Sequence, residues 1–256
     1  MPRLLSAARH LVNIPLQSIG FEVRRKVEIA ATHSMPHLAE RLAHARSLGF
    51  EPRTVFDGGA FVGNWTLTVS ELFPRAQFVV VEPNPFLQDA LHAKLNAIQP
   101  SPVIVEAALG FESGTASLNI WGNPSTDMSA SLLSNVQGPA DTVVTVNVET
   151  LDRLAERHGR MPDLLKLDLQ GAEVPALNGA PRCLEHAEMV IAEFGCLAAY
   201  KGRTTPRELL DLLYDAGFVL YDIVDGFYRP FDGALAGGDF FFVKACSPLR
   251  RDRRWT

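Results

Sequence analysis

Val55–Trp65 reads VFDGGAFVGNW. A short apolar run ends in Asp57, a glycine turn carrying Gly58, Gly59 and Gly63 follows, and a helix is expected to begin near Asn64 or Trp65. Glycines in such a turn let a ligand approach the backbone, and the N–H groups of the helix start point at it. Four similar runs lie further along: Phe78–Glu82 (FVVVE), Val103–Ala107 (VIVEA), Leu164–Asp168 (LLKLD) and Met189–Phe194 (MVIAEF). Short β-branched runs of this kind read as buried parallel strands. Asp57, Glu82 and Asp168 each close a run, and Glu193 lies near the end of another. The carboxyl ends of an open parallel sheet line its ligand crevice, so repeated acids there are the main functional clue.

Helical patterns separate the runs. Asn84-Pro85 is an N-cap followed by proline, and Leu87, Leu91, Leu95 and Ile98 recur at helical spacing behind it. Thr205-Pro206-Arg207-Glu208 is a capping-box pattern, Leu209, Leu210 and Leu213 follow, and Gly217 is a left-handed stop. Leu38, Leu42 and Ala45 mark one face of a helix that stops near Gly49. Such alternation predicts a doubly wound, mostly parallel α/β sheet. Thr115–Trp121 and Thr142–Val148 are β-like and flank a polar loop, Gly122–Gly138, long enough to be a binding loop. Phe218–Val224 and Asp239–Lys244 are joined only by GFYRPFDGALAGG, which suits a closing antiparallel pair. The expected organisation is an N-terminal helical extension over residues 1–49 and one domain over residues 50–256.

Composition narrows the function. With 47% hydrophobic and 21% charged residues in 256, the chain is ordinary globular protein. A net charge of −5 argues against a chain built to coat nucleic acid or anionic lipid. Cys183, Cys196 and Cys246 are odd in number and fit no CxxC spacing, which suits a reducing compartment, and the cytoplasm is the expected location. No apolar stretch reaches the ~18 residues of a membrane span, and the N-terminus lacks the apolar core of a signal peptide. His33 and His37 have Pro36 between them and no third partner, so no metal site is expected. Arg24, Arg25, Lys26 and the tail Arg250–Arg254 read as solvated charge, with weak peripheral contact to an anionic surface as the alternative.

Two nucleotide-type ligands compete for the glycine turn. A dinucleotide prefers G-x-G-x-x-G, which is missing, and Asp57 would repel a pyrophosphate. The same carboxylate suits the ammonium group of S-adenosylmethionine, and Glu82 is placed to accept hydrogen bonds from ribose hydroxyls. At these residues the chain resembles the FkbM family of S-adenosylmethionine-dependent methyltransferases, over about residues 50–245. Asp57-Gly58-Gly59-Ala60…Gly63-Asn64 is similar to its first motif, FVVVEPNP (Phe78–Pro85) to its second and EAALG (Glu106–Gly110) to its third. LKLDLQGAEVPALNGA (Leu165–Ala180) is similar to its K-I-D-V-E-G-A-E signature, with Thr150-Leu151-Asp152 as the lead-in. Gly58, Phe61 and Gln170 depart from the commoner Val, Asn and Glu.

The resemblance implies a Rossmann-like, class I methyltransferase-like fold with an antiparallel C-terminal strand, and O-methyl transfer to sugar or polyketide hydroxyls. The implied donor contacts are Asp57, Gly58, Gly59, Ala60, Gly63, Asn64, Glu82, Pro83, Ala107, Ala108 and Asp168. An alcohol is a poor nucleophile at neutral pH, so a positioned base is needed. Asp168 is the leading candidate, with Glu173 and Glu193 orienting the acceptor and Lys166 on the same strand face. A divalent cation held by these acids is an alternative. Trp121, Tyr200, Phe227, Tyr228 and Phe231 are candidates to stack on the acceptor, and Asp127, Ser129 and Ser131 to hydrogen-bond it. Competing readings are a non-catalytic binding protein that keeps the donor pocket and a nicotinamide-dependent oxidoreductase. Asn84-Pro85-Phe86 suggests a DNA amino-methyltransferase motif but follows the wrong strand.

Overall fold

The computed structural model describes residues 37–197 and 199–252. His33, Arg24, Arg25, Lys26, Arg253 and Arg254 lie outside the described residues. The chain runs α1 (Leu38–Ser47), β1 (Thr54–Gly58), α2 (Asn64–Leu72), β2 (Gln77–Val81), α3 (Gln88–Leu95), β3 (Val103–Val105), β4 (Ala108–Leu109), β5 (Gly114–Ile120) and β6 (Thr142–Glu149). It continues with α4 (Leu151–His158), β7 (Leu164–Leu167), α5 (Glu173–Asn178), α6 (Pro181–His186), β8 (Met189–Gly195), α7 (Pro206–Asp215), β9 (Phe218–Tyr228) and β10 (Leu235–Lys244). The main sheet has seven strands in the order β3-β2-β1-β7-β8-β10-β9. All pairs from β3 to β8 are parallel, and β10 lies antiparallel between β8 and β9. This is the expected doubly wound sheet with its antiparallel close.

Alternation along the strands sorts the two faces. Phe56, Val79, Val81, Leu165, Leu167, Val190 and Ala192 enter one core, with α4 to α7. Val55, Phe78, Val80, Leu164, Met189 and Ile191 enter the other, with α1 to α3. Each fully buried side chain of this size is worth about 1.5–3 kcal/mol against exposure. The parity matters below, because Asp57 shares the face of Val55 and Lys166 that of Leu164.

The caps follow the sequence. The Asn84 side chain accepts from Phe86 N–H at the start of a 3-10 turn, Pro85–Leu87, that leads into α3. Thr205 and Glu208 form the capping box of α7. Leu38, Leu42 and Ala45 of α1 are buried in the same core as β1, and the N–H of Leu38 donates to Asp225 Oδ2 at 3.0 Å on β9. The described part of the N-terminal extension is thus seated in the fold.

Two runs differ from expectation. Val103–Ala107 stops as a strand at Val105, and Ala108–Leu109 leaves the main sheet to pair with β6, making a second sheet β4-β6-β5. Most of the supposed connection near the C-terminus is strand, closed by a turn in which Arg229 N–H donates to Ala234 O. Gly237 explains it: a Cβ there would lie 2.5 Å from the carbonyl oxygen of Phe194 and 2.7 Å from the Phe227 ring. Gly237 and Gly238, which resemble a loop in sequence, are close-approach strand positions at register shifts, and Gly233 serves the turn with positive φ.

Candidate active site

A cavity of about 740 Å³, its open mouth included, lies at the carboxyl edge of the sheet. Its walls come from the β1–α2 turn, the end of β2, residues 107–109, the loop after β5 and the turn after β7. Size and mixed walls match a small-molecule site. Of the residues singled out in the sequence as donor contacts, Gly59, Glu82, Pro83, Ala107, Ala108 and Asp168 line it. Asp57, Gly58, Ala60, Gly63 and Asn64 do not, and neither do Lys166, Glu173 and Glu193.

For the glycine segment the reason is the curl of the first turn. Gly59 and Phe61 both have positive φ, 77° and 53°. The turn folds back on β2, so the N–H groups of Gly59 and Ala60 donate to Val81 O at 2.9 and 3.2 Å rather than facing a ligand. Gly58 and Gly63 are packing glycines: a Cβ would meet Leu109 Cδ1 at 2.6 Å in the first case and Leu91 and Leu95 at 2.9 Å in the second. Asn64 accepts from Lys94 on α3. At Gly59 a Cβ would lie 1.9 Å from the Asp168 carbonyl oxygen. Gly59→Ala is therefore expected to cost at least ~2 kcal/mol in denaturant unfolding. Gly49→Ala, with similar φ and open space around it, should cost only ~1 kcal/mol.

Glu82 is held in the cavity wall through both of its carboxylate oxygens. Oε2 accepts from Phe61 N–H at 2.8 Å and Oε1 from Asn84 N–H at 2.9 Å. Each oxygen keeps a second acceptor position. Burial raises its pKa to about 7, against the two amide bonds that favour the ionised form. Across the cavity, Asp168 Oδ1 accepts from Gln170 Nε2 at 2.9 Å, and Oδ2 lies 3.5 Å from Lys166 Nζ. Gln170 is left-handed (φ 52°), and its Oε1 is 3.2 Å from the Tyr200 hydroxyl.

Asp57, Lys166, Glu193 and Asp239 fall on the sheet face of α1 to α3 by strand parity. Asp57 is fully buried, accepts from the Thr66 hydroxyl, and faces Lys166 Nζ at 3.8 Å. Burial pushes its carboxyl up, and Lys166 and Thr66 oppose that. Burial disfavours the Lys166 ammonium, but Asp168, Asp57 and Asp239 outweigh it and hold the ammonium charged well above its usual range. Burial, with Asp168 and Glu173 adding repulsion, also raises Glu193. Burial carries Asp239 to about 7. Asp57→Ala removes one of the acids that hold the buried Lys166 ammonium and leaves the Thr66 hydroxyl without its acceptor, while Asp168 stays 3.5 Å from Nζ; it should cost roughly 1–3 kcal/mol by chemical unfolding.

Arg203 carries no motif in the sequence. Its NH2 pairs with Glu193 Oε2 at 3.1 Å, and its Cζ is 5.9 Å from the Tyr200 ring centroid. The guanidinium occupies space that glycines leave empty: a Cβ on Gly195 would lie 2.3 Å from Cζ, and one on Gly171 2.8 Å from Cγ. Glu173, at 1% exposure, holds the turn after β7 through Leu169 N–H and Gly171 N–H at 2.9 and 3.2 Å.

The loop after β5 is tied to the site at several points. Asn84 Nδ2 donates to Pro124 O at 2.9 Å, Ser131 Oγ to Gln170 O at 2.9 Å, and the Tyr200 hydroxyl to Ser129 O at 2.8 Å. Asp127, Met128, Ala130 and Leu132 face the cavity. The Asp127 carboxylate also folds the loop on itself, accepting from Trp121 N–H and Ser129 N–H. The Trp121 ring tilts against Tyr200 at 5.9 Å. Phe227, Tyr228 and Phe231 are exposed at the β9–β10 end and lie outside the cavity. Among the described residues, no group of three His, Cys, Asp or Glu is arranged to hold a metal ion.

The model of the methyltransferase FkbM domain matches residues 57–220. The chain belongs to this family. S-adenosylmethionine is the methyl donor of FkbM methyltransferases. A methyltransferase FkbM from Methylobacillus flagellatus KT has a TM-score of 0.50 at 14% identity, over 74% of this chain and 43% of that one. This chain therefore spans less than half of that structure's length. Magnesium protoporphyrin IX methyltransferase from Synechocystis PCC 6803, solved with bound S-adenosylmethionine, has a TM-score of 0.46 at 12% identity, over 93% and 97% of the two chains. A putative O-methyltransferase from Nostoc punctiforme PCC 73102 has a TM-score of 0.43 at 14% identity, covering 80% of this chain and 55% of its own. No curated protein matches the chain. At such identities the FkbM likeness speaks for the fold, and the chemistry rests on the site.

Proposed function

We propose that the chain transfers a methyl group from S-adenosylmethionine to a hydroxyl of a glycan or glycosylated small molecule. The observation that carries this reading is the pair of acids facing one cavity: Glu82, with both oxygens fixed by backbone amides, and Asp168 opposite. The open acceptor positions of Glu82 fit a ribose diol, and the apolar wall of Val81, Leu87, Ala107 and Leu109 fits a flat base. Bound there, S-adenosylmethionine supplies a methyl group on a good leaving group. The chain must then align the acceptor and exclude water. Asp168 accepts the proton of the attacking hydroxyl, and Lys166 and Gln170 hold its carboxylate in place. Asp57 is buried and supports the donor site through Lys166 rather than by touching a ligand.

The polar mouth formed by Asp127, Asp168 and Gln170 supports a polyhydroxy acceptor over a polyketide. The net charge of −5 and the acids at the mouth disfavour nucleic acid. No helix among the described residues is long and apolar enough to cross a membrane. The test is transfer from methyl-labelled donor to a panel of saccharides and phenols, with S-adenosylhomocysteine and NAD compared by calorimetry. Methylated saccharide, and heat with S-adenosylhomocysteine but not with NAD, support the reading. Transfer confined to phenols, or heat only with NAD, refutes it.

A further inference from the structure

The Gln170 side chain stands between two groups of different character. Its Nε2 donates to Asp168 Oδ1 at 2.9 Å, and its Oε1 lies 3.2 Å from the Tyr200 hydroxyl. That hydroxyl has one proton and two acceptors within reach, Gln170 Oε1 and, at 2.8 Å, Ser129 O. Turned to Ser129 O, it leaves its lone pairs free to accept a hydrogen bond. Gln170 is kept in place independently of its amide. Its φ is 52°, its carbonyl receives the Ser131 hydroxyl, and Glu173 holds the N–H groups on either side of it. A costly left-handed backbone at a non-glycine residue is a mark of a functional constraint.

We propose that Gln170 is a positioning residue that hydrogen-bonds Asp168 in both of its protonation states by turning its amide over. With Asp168 ionised, Nε2–H donates to Oδ1 and Oε1 accepts from the Tyr200 hydroxyl, as observed. When Asp168 takes a proton, the amide turns by half a rotation. The new carboxylic O–H then donates to Oε1, and Nε2–H donates to the Tyr200 oxygen, which turns its own proton to Ser129 O. None of the three side chains is left unpaired in either state, and only a side chain with a donor and an acceptor on one plane can do this. A glutamate here would set a second negative charge beside Asp168, and a leucine would serve neither state. The inference deepens the proposed role of Asp168 as base, because a base must be held before and after it takes the proton.

Charged groups face Asp168 from every side: Lys166 on β7, Asp57 on β1, Glu82 after β2, Glu173 on α5, Glu193 on β8 and Asp239 on β10. Arg203 balances Glu193, and Asp127 shares the cavity. The test must therefore read Asp168 itself. Carbon-13 spectra of aspartate-labelled full-length protein follow its carboxyl against pH, assigned by Asp168→Asn. Nitrogen-15 spectra follow the Gln170 amide, assigned by Gln170→Leu. In the unsubstituted protein, both amide protons of Gln170 should shift through the same midpoint as the Asp168 carboxyl. Gln170→Glu should move the carboxyl midpoint up by about one pH unit or more, and Gln170→Leu by less. Amide signals indifferent to the Asp168 midpoint, or the same midpoint in all three proteins, overturn the proposal. These readings need no acceptor, and the joint shift of the Gln170 amide and the Asp168 carboxyl is read on the unsubstituted protein, so it stands even where a Gln170 variant fails to fold. They stay separate from the base assignment, which fails instead if Asp168→Asn keeps normal methyl transfer.

Discussion

Glu82→Ala is expected to weaken S-adenosylhomocysteine binding by at least ~100-fold, which is about 2.7 kcal/mol. A ribose diol would donate twice to a charged carboxylate, and bonds to charged acceptors are worth ~1.5–3 kcal/mol each. The loss also frees Phe61 N–H and Asn84 N–H, which Glu82 now accepts, so the turn itself loosens. Glu82→Gln separates the two effects. Its one oxygen can satisfy one amide, and its NH2 opposes the other, so it should bind at an intermediate level. Titration calorimetry on both variants measures this. Affinity within about threefold of the parent in both would remove Glu82 from the donor site. The pH dependence gives an independent check. With a folded pKa near 7 against an ordinary 4.5, the buried carboxyl stays protonated where the unfolded chain ionises. Its contribution to stability is therefore present at low pH and lost as pH rises between about 4.5 and about 7. A ligand that donates to the ionised form reverses this. Affinity should rise from pH 6 to pH 8, with proton release visible as a buffer-dependent heat.

Asp168→Asn is expected to lower methyl transfer by roughly 10²–10⁴, the range for loss of a positioned base. Affinity for S-adenosylhomocysteine should change by less than about fivefold. The substitution is nearly isosteric, and its amide can still meet the Gln170 side chain, so gross misfolding is not the expected route. It does remove one of the charges that hold Lys166. A modest loss of stability should accompany the loss of turnover, readable by thermal melting. Undiminished transfer with intact binding would pass the role of base to another group, and Glu193 and Asp239 are too enclosed to take it up without rearrangement.

The order of elements and the acids at strand ends were legible because both follow from local pattern. Short β-branched runs, N-caps and glycine stops each depend on a few adjacent residues. Side-chain direction was harder to read. Asp57 and Glu82 look equivalent in sequence, as acids that close neighbouring strands. Asp57 lies within β1 and shares the parity of Val55, whereas Glu82 lies one residue beyond β2, where alternation no longer governs. Counting in steps of two from Val55 would have assigned Asp57 to the face covered by α1 to α3. The left-handed Phe61 and Gln170 were visible only as departures from the family pattern, since neither residue type advertises positive φ. Arg203 left no trace, because its partners are a glutamate ten residues away and the empty space over two glycines.

That empty space has a consequence for how the family diversifies. The volume occupied by one long cation has been vacated at Gly171 and Gly195, on two segments that meet only in the folded chain. No one of the three positions is free to drift alone. A side chain at either glycine evicts the arginine, and a shortened arginine leaves a hole beside a stranded acid. Among descendants of this sequence, the trio should be inherited or exchanged as a block, and a recombinant that mixes it should show a defect that neither parent has.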